Sequence, residues 1–173
     1  MSGQRGFTLL EILVVLLIIG ITLGMALVPA GSRDREQRGK EELVRLKGLL
    51  ELVAREAVID AREWGVLFVD RGYEFLVQDG QNRWRRPDRE ENLLRPRRLS
   101  PGIAIRLRVE GEEVATNDGS DPLPQLVFSA DGRTTPFQLE WEAPAGGRAR
   151  GGVTWRLSGA SGGALRLERV AGE

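Results

Sequence analysis

Three kinds of hydrophobic patterning follow one another along the chain. The first, Phe7 to Val28, is almost wholly apolar, with Glu11 its one ionisable position. As a helix it would be roughly 33 Å long, enough for the hydrocarbon core of a bilayer. From about Arg33 to Glu63 the pattern becomes amphipathic. Leu43, Leu46, Leu50, Val53, Ala57 and Ala61 recur every three or four positions, and Leu49 and Val58 widen the stripe. That spacing predicts one apolar face of a helix laid against a core.

From Trp64 onward the period shortens to two. Val66–Val69 and Tyr73–Val77 flank Asp70-Arg71-Gly72 and predict a hairpin with glycine at its turn. Further strands are expected at Ile103–Val109, Gln125–Phe128, Phe137–Trp141, Val153–Leu157 and Ala164–Val170. The short connections make them antiparallel. The expected fold class is α+β: a long N-terminal helix, membrane-spanning then amphipathic, packed on an antiparallel β-sandwich-like domain.

Composition narrows the chemistry. In 173 residues, Lys+Arg and Asp+Glu balance at 25 each, so no global field points to nucleic acid. The chain has neither Cys nor His. A disulfide framework and thiolate metal sites are excluded, and the commonest general base is missing. Adjacent carboxylates at Glu90/Glu91 and Glu112/Glu113 face no common cleft, and no glycine-rich phosphate loop follows a strand. No catalytic residue, cofactor or metal is expected.

The amino terminus admits three readings. Val28-Pro29-Ala30 before Gly31 could end an ordinary signal peptide, but the apolar run is long for one and carries Glu11 near its start. A plain anchor would make Thr8-x-x-Glu11 a capping box. The third takes Gly6-Phe7-Thr8-Leu9-Leu10-Glu11 as a unit, and this unit resembles the type IV pilin-like (class III) signal sequence. The resemblance implies cleavage by a prepilin peptidase between Gly6 and Phe7, N-methylation of Phe7, and Glu11 as the fifth residue of the mature chain. Glu11 then lies about one helical turn from the new α-amino group. It could pair with that amine or a neighbouring subunit's, because an unpaired carboxylate at membrane depth is costly. Capping and pairing are not exclusive.

Charge flanking the apolar run leaves orientation open. Arg5 precedes it, while Arg33, Arg35, Arg38 and Lys40 follow, partly offset by Asp34 and Glu36. The leader resemblance decides it: N-terminus inside, the rest in the periplasm, a single pass through the bacterial inner membrane.

The resemblance extends along the chain. Tyr73-Glu74-Phe75-Leu76 followed by Trp84, Arg95-Pro96-Arg97-Arg98-Leu99 before Gly102-Ile103, and Phe128-Ser129-Ala130-Asp131-Gly132-x-x-Thr135-Pro136-Phe137 are similar to H-type minor pseudopilins of type II secretion systems and the related FimT proteins. What this implies is a structural subunit near the tip of a pseudopilus that drives folded proteins across the outer membrane. Its implied partners are other minor and major pseudopilins, the prepilin peptidase, an inner-membrane assembly platform and exported proteins. The implied layout is leader 1–6, membrane and fibre-core helix 7–28, amphipathic helix 29–63 and periplasmic β domain 64–173. The alternative is a minor type IV pilin serving pilus assembly or DNA uptake; the lack of Cys leans toward secretion.

Two local clusters suggest other ligands. Arg83, Arg85, Arg86, Arg89, Arg95, Arg97 and Arg98 crowd around Trp84, a composition that can bind DNA. Asp88, Glu90 and Glu91 offset part of that charge, and a self-paired loop or subunit-docking surface is the stronger reading. Asn117, Asp118 and Asp121 could hold calcium, but the EF-hand pattern is missing and Asx turns explain them as well.

Overall fold

A computed structural model of the protein describes residues 9–26, 31–87, 92–101, 103–117, 123–143 and 153–170. By compactness the chain divides into Met1–Gly31 and Ser32–Glu173. The first unit holds helix α1, Leu9–Ala26. From Leu9 to Ile21 its side chains are exposed, from Leu9 at 84% to Val14 at 42%. An apolar surface so continuous needs lipid or other helices around it. The 18 residues of α1 would extend about 27 Å. Among the described residues no helix is long and apolar enough to cross a membrane. The expected span also needs Phe7, Thr8, Leu27 and Val28, which lie outside the described residues.

Helix α2 spans Gly31–Ile59 and belongs from Ser32 onward to the second unit. The periodic stripe is its buried face: Leu43, Leu46, Leu50, Val53 and Ala57 are fully buried and Leu49 nearly so. The helix stops short of the expected Glu63, and the reason is local. The Arg62 N–H donates to the Ala57 carbonyl at 3.1 Å and the Ala61 N–H to that of Val58 at 3.4 Å. Ala61 has φ 51°. These are the bonds and the left-handed residue of a Schellman cap, with alanine where glycine is usual. Ala61 is therefore outside the helix and exposed rather than on the stripe, and Val58 is half exposed.

Two antiparallel five-stranded sheets follow. The first comprises β1 (Trp64–Val69), β2 (Gly72–Gln78), β3 (Trp84–Arg85), β4 (Arg97–Arg98) and β7 (Leu126–Phe128). Its order is β3-β2-β1-β7, with β4 also paired to β2. The second comprises β5 (Ala104–Val109), β6 (Glu112–Val114), β8 (Phe137–Ala143), β9 (Val153–Gly159) and β10 (Leu165–Val170) in the order β10-β9-β8-β5-β6. All seven anticipated strands are present. The additional ones, β3, β4 and β6, are two or three residues long and arise from pairing rather than from a sequence period.

One apolar cluster joins α2 to both sheets. It takes Trp64, Val66 and Phe68 from β1, Tyr73, Phe75 and Val77 from β2, Leu107 from β5, Phe137, Leu139 and Trp141 from β8, and Leu157 from β9. Burying each such side chain contributes about 1.5–3 kcal/mol. Alternation along the strands places the intervening residues on the outer faces.

The expected glycine turn is corrected. The β1–β2 turn is Asp70-Arg71, since Val69 pairs directly with Gly72. Gly72 lies within β2, opposite Arg98 of β4. A Cβ there would sit 2.1 Å from the Arg97 carbonyl oxygen. The glycine permits close backbone approach, not a positive φ.

Candidate functional site

The residues singled out for processing, Gly6 and Phe7, lie outside the described residues, as does Thr8 of the possible capping box. Glu11 is described. It occupies the first turn of α1 and is exposed. A carboxylate there complements the partial positive charge of the helix start. The rest of the helix is uncharged, so this acid is its one ionisable group.

The arginine-rich segment is not an open loop. Trp84 belongs to β3, half-buried beside Gly65 of β1 at 3.0 Å from where a glycine Cβ would be. Its ring is thus committed to packing. Arg83 pairs with Asp79 at 3.2 Å and Arg86 with Glu74 at 2.8 Å. Asp79 also accepts from the backbone N–H groups of Gln81 and Arg83. Chiefly the Arg83 N–H, then that of Gln81, hold its carboxyl below the usual range. Arg97 is half-buried on β4 and donates to the Leu93 carbonyl at 3.3 Å. Arg89 lies outside the described residues. The internal pairing favours a structural role for these arginines. Asp118 and Asp121 are likewise outside them, and Asn117 donates its N–H to the Phe68 carbonyl. Among the described residues no cluster of three or more His, Cys, Asp or Glu could hold a metal.

Sequence reasoning missed a helix-to-loop clamp and a charge ladder. Glu42 of α2 accepts hydrogen bonds from the Ser100 hydroxyl and from the Ser100 N–H, tying the loop after β4 to the helix. On the outer face of the second sheet, Arg106, Glu140, Arg156 and Glu168 stand directly opposite one another across four strands. Glu140 meets Arg156 at 2.8 Å and Arg106 at 3.3 Å, and Arg156 meets Glu168 at 3.7 Å. The Arg156 hydrogen bond, above all, holds the Glu140 carboxyl below its ordinary value of 4.5. Alternation alone marks these positions as outward-facing. Their opposition depends on register, which one strand's sequence does not encode.

On the first sheet, a concavity of about 590 Å³ lies between the β1–β2 turn and β4. Arg71, Arg97 and Arg98 line it together with Asp70 and Glu74, so two of its three positive charges are balanced within it. The geometry offers surfaces for protein contact and a helix with one acid. No nucleophile, base and cleft are brought together among the described residues.

Comparison with known proteins agrees with that arrangement. Residues 1–27 match the family model described as a prokaryotic N-terminal methylation motif, and residues 43–163 match that of type II transport protein GspH. The chain is 30% identical over 149 residues to type II secretion system protein H of Pseudomonas aeruginosa, covering 80% of this chain and 83% of the relative. It is 29% identical over 141 residues to the Escherichia coli protein of the same name, covering 80% and 81%. The fold is similar to the crystal structure of the minor pseudopilin EpsH from the Vibrio cholerae type II secretion system. The TM-score is 0.62 at 23% identity, covering 79% of this chain and 96% of that one. It is also similar to the solution structure of Escherichia coli GspH, with TM-score 0.59 at 20% identity, covering 83% and 95%.

Proposed function

The chain belongs to the type II transport protein GspH family, and from that premise we propose that it is a processed minor pseudopilin, a structural subunit near the tip of a type II secretion pseudopilus. The reading rests on one observation above others: a methylation motif over residues 1–27 and a GspH domain over 43–163 occur in order in one chain. The protein relatives bearing the secretion-system name support secretion over a type IV pilus.

In this reading a prepilin peptidase removes Met1–Gly6 and methylates Phe7. Residues 7–28 lie in the inner membrane, then in the fibre core, and the domain from Trp64 stands in the periplasm. Extraction from lipid into the fibre exchanges one apolar surround for another, so the apolar side chains of α1 remain satisfied throughout. Glu11 supplies direction to that exchange. Its carboxylate is costly among apolar neighbours and is stabilised by the α-amino group of its own or an adjacent subunit. Other minor and major pseudopilins, the assembly platform and exported proteins are the partners this reading assigns. The motor that moves the fibre is a separate protein.

N-terminal sequencing with mass analysis of the native protein tests the processing step. The expected terminus is N-methylated Phe7. A chain retaining Met1–Gly6, or beginning at Gly31, overturns the reading. Glu11→Ala is expected to leave cleavage intact and to weaken assembly and export; normal export by that variant removes the pairing role.

A further inference from the structure

The outer face of the second sheet carries two adjacent rows of opposite design. In the Arg106–Glu140–Arg156–Glu168 row every arginine has a carboxylate. Two residues along each strand, the next row is Arg108, Gln138, Ser158 and Arg166, again directly opposed across β5, β8, β9 and β10. Both of its arginines are exposed. Neither guanidinium has a hydrogen-bond or ion-pair partner among the described residues. The row lines a concavity of about 520 Å³ whose other walls include Phe137, Gly159 and Leu165. Glu110 is its one acidic lining residue.

The shape follows from the side chains. Long arginines stand at the two ends, and short Gln138 and Ser158 lie between them. Gly159, one residue beyond Ser158, faces the core side instead: a Cβ there would sit 2.2 Å from the buried Phe137 ring. The result is a trough with cationic ends and a hydrogen-bonding middle. An exposed arginine alone is ordinary surface. Two of them flanking a trough with a single carboxylate, Glu110, beside a row that neutralises itself, leave a net positive charge.

We propose that this trough docks an extended, acidic segment of a partner protein. The two arginines lie three strand spacings apart, about 14 Å. An extended chain rises about 3.3 Å per residue, so carboxylates four positions apart are separated by about 13 Å. Each could take a bidentate, charge-assisted contact from one guanidinium. Gln138 and Ser158 have donors and acceptors for the peptide backbone between them. This inference goes beyond the assignment to a secretion fibre and does not require it.

The test uses the full chain in detergent and a labelled peptide, Gly-Glu-Gly-Ser-Gly-Glu-Gly, followed by fluorescence anisotropy. Saturable binding is expected, weakened at least tenfold by Arg108→Gln with Arg166→Gln and unchanged by Arg55→Gln on α2. The glutamine version of the peptide should bind at least tenfold more weakly. Any of four results overturns the proposal: no saturation by several millimolar peptide, equal binding of the glutamine version, binding indifferent to the double variant, or a double-stranded DNA oligonucleotide displacing the peptide at lower phosphate concentration than peptide carboxylate. Displacement by inorganic phosphate at the peptide's own concentration also overturns it, because a simple anion site needs only one arginine. Both arginines are exposed on strand faces, so the double variant is expected to fold. An unchanged thermal midpoint confirms that lost binding is local.

Discussion

The two sheets solve the same problem in different ways. The second has one buried face and one polar face, the arrangement alternation predicts. The first is buried on both. Trp64, Val66 and Phe68 enter the main core, but Leu67 of β1 and Leu76 of β2 point the other way and are also buried, at 3% and 2% exposure. Pro124 and Trp84 lie over Gly65 on that second face. There the Gln125 side chain accepts from the Phe68 N–H at 2.7 Å and donates to its carbonyl at 3.0 Å, prolonging the pairing of β7 as a strand residue would. The first sheet thus spends its surface on filling space, and the second keeps a face for display. This contrast locates a partner surface more sharply than exposure alone does.

The strongest challenge to the contrast is at Gly72. Its missing side chain admits the Arg97 carbonyl, so Gly72→Ala must push backbone apart. Roughly 3–4 kcal/mol of stability should be lost, because overpacking against backbone cannot be relieved by a rotamer. Urea unfolding reads the loss, and faster amide exchange at Arg97 and Arg98 would show β4 lifting from β2. A stable variant with β4 still protected would mean that the first sheet is loosely packed.

Truncation on the outer faces comes next. Leu67→Ala should cost about 2–3 kcal/mol, the usual cavity penalty for a buried leucine. Gln138→Ala, outward-facing on the second sheet, should change stability by about 0.5 kcal/mol or less. Equal effects at the two positions would erase the distinction between a filled and a displayed face.

How much of this was readable beforehand depends on the range of the interaction. The α2 stripe and the seven strands come from local periods, and Leu43 to Ala57 fall where the spacing places them. The end of α2 was misjudged because Ala61 takes a conformation that its residue type does not announce. Gly72 looked like a turn residue because its real neighbour, Arg97, is distant in sequence. Leu67 and Leu76 gave no hint that the second face would be covered, since the cover includes Pro124 and Trp84 from other segments. In the candidate site, Gly6, Phe7 and Glu11 fall in one contiguous stretch, which the methylation-motif match covers. The charge ladder and the trough require three strand registers at once and were not legible.

The ladder itself gives a smaller, pH-dependent effect. Glu140 is held below its ordinary 4.5 in the folded protein, first by the Arg156 hydrogen bond. Its folded value is lowered, so its stabilisation is fully present above about pH 4.5 and is lost as pH falls through the folded value. Glu140→Gln should cost about 0.5–1 kcal/mol at pH 7, in the range of partly screened ion pairs. The gap between wild type and variant should close on acidification below pH 4.5, and narrow in 1 M salt. Thermal midpoints across pH measure both trends. A gap unchanged both by acidification and by 1 M salt would show that the carboxylate acts through packing instead of charge.

The turns of the two sheets carry the contrast down to the smallest effect. Neither Asp70 nor Arg71, between β1 and β2, has a positive φ. Between β5 and β6 both turn residues do, Glu110 at 53° and Gly111 at 91°, the pattern of a type I′ turn. Glycine suits the second position, but glutamate is a poor occupant of the first, where asparagine is favoured because it tolerates the left-handed region. Glu110→Asn should therefore stabilise the hairpin by about 0.5 kcal/mol, visible as a small rise in thermal midpoint. The same substitution removes the acidic residue lining the trough between Arg108 and Arg166. Binding of the acidic peptide should then tighten about two- to threefold, with a steeper dependence on salt. Tighter binding without added stability would leave the docking proposal intact and refute the turn assignment; added stability with unchanged or weaker binding would do the reverse.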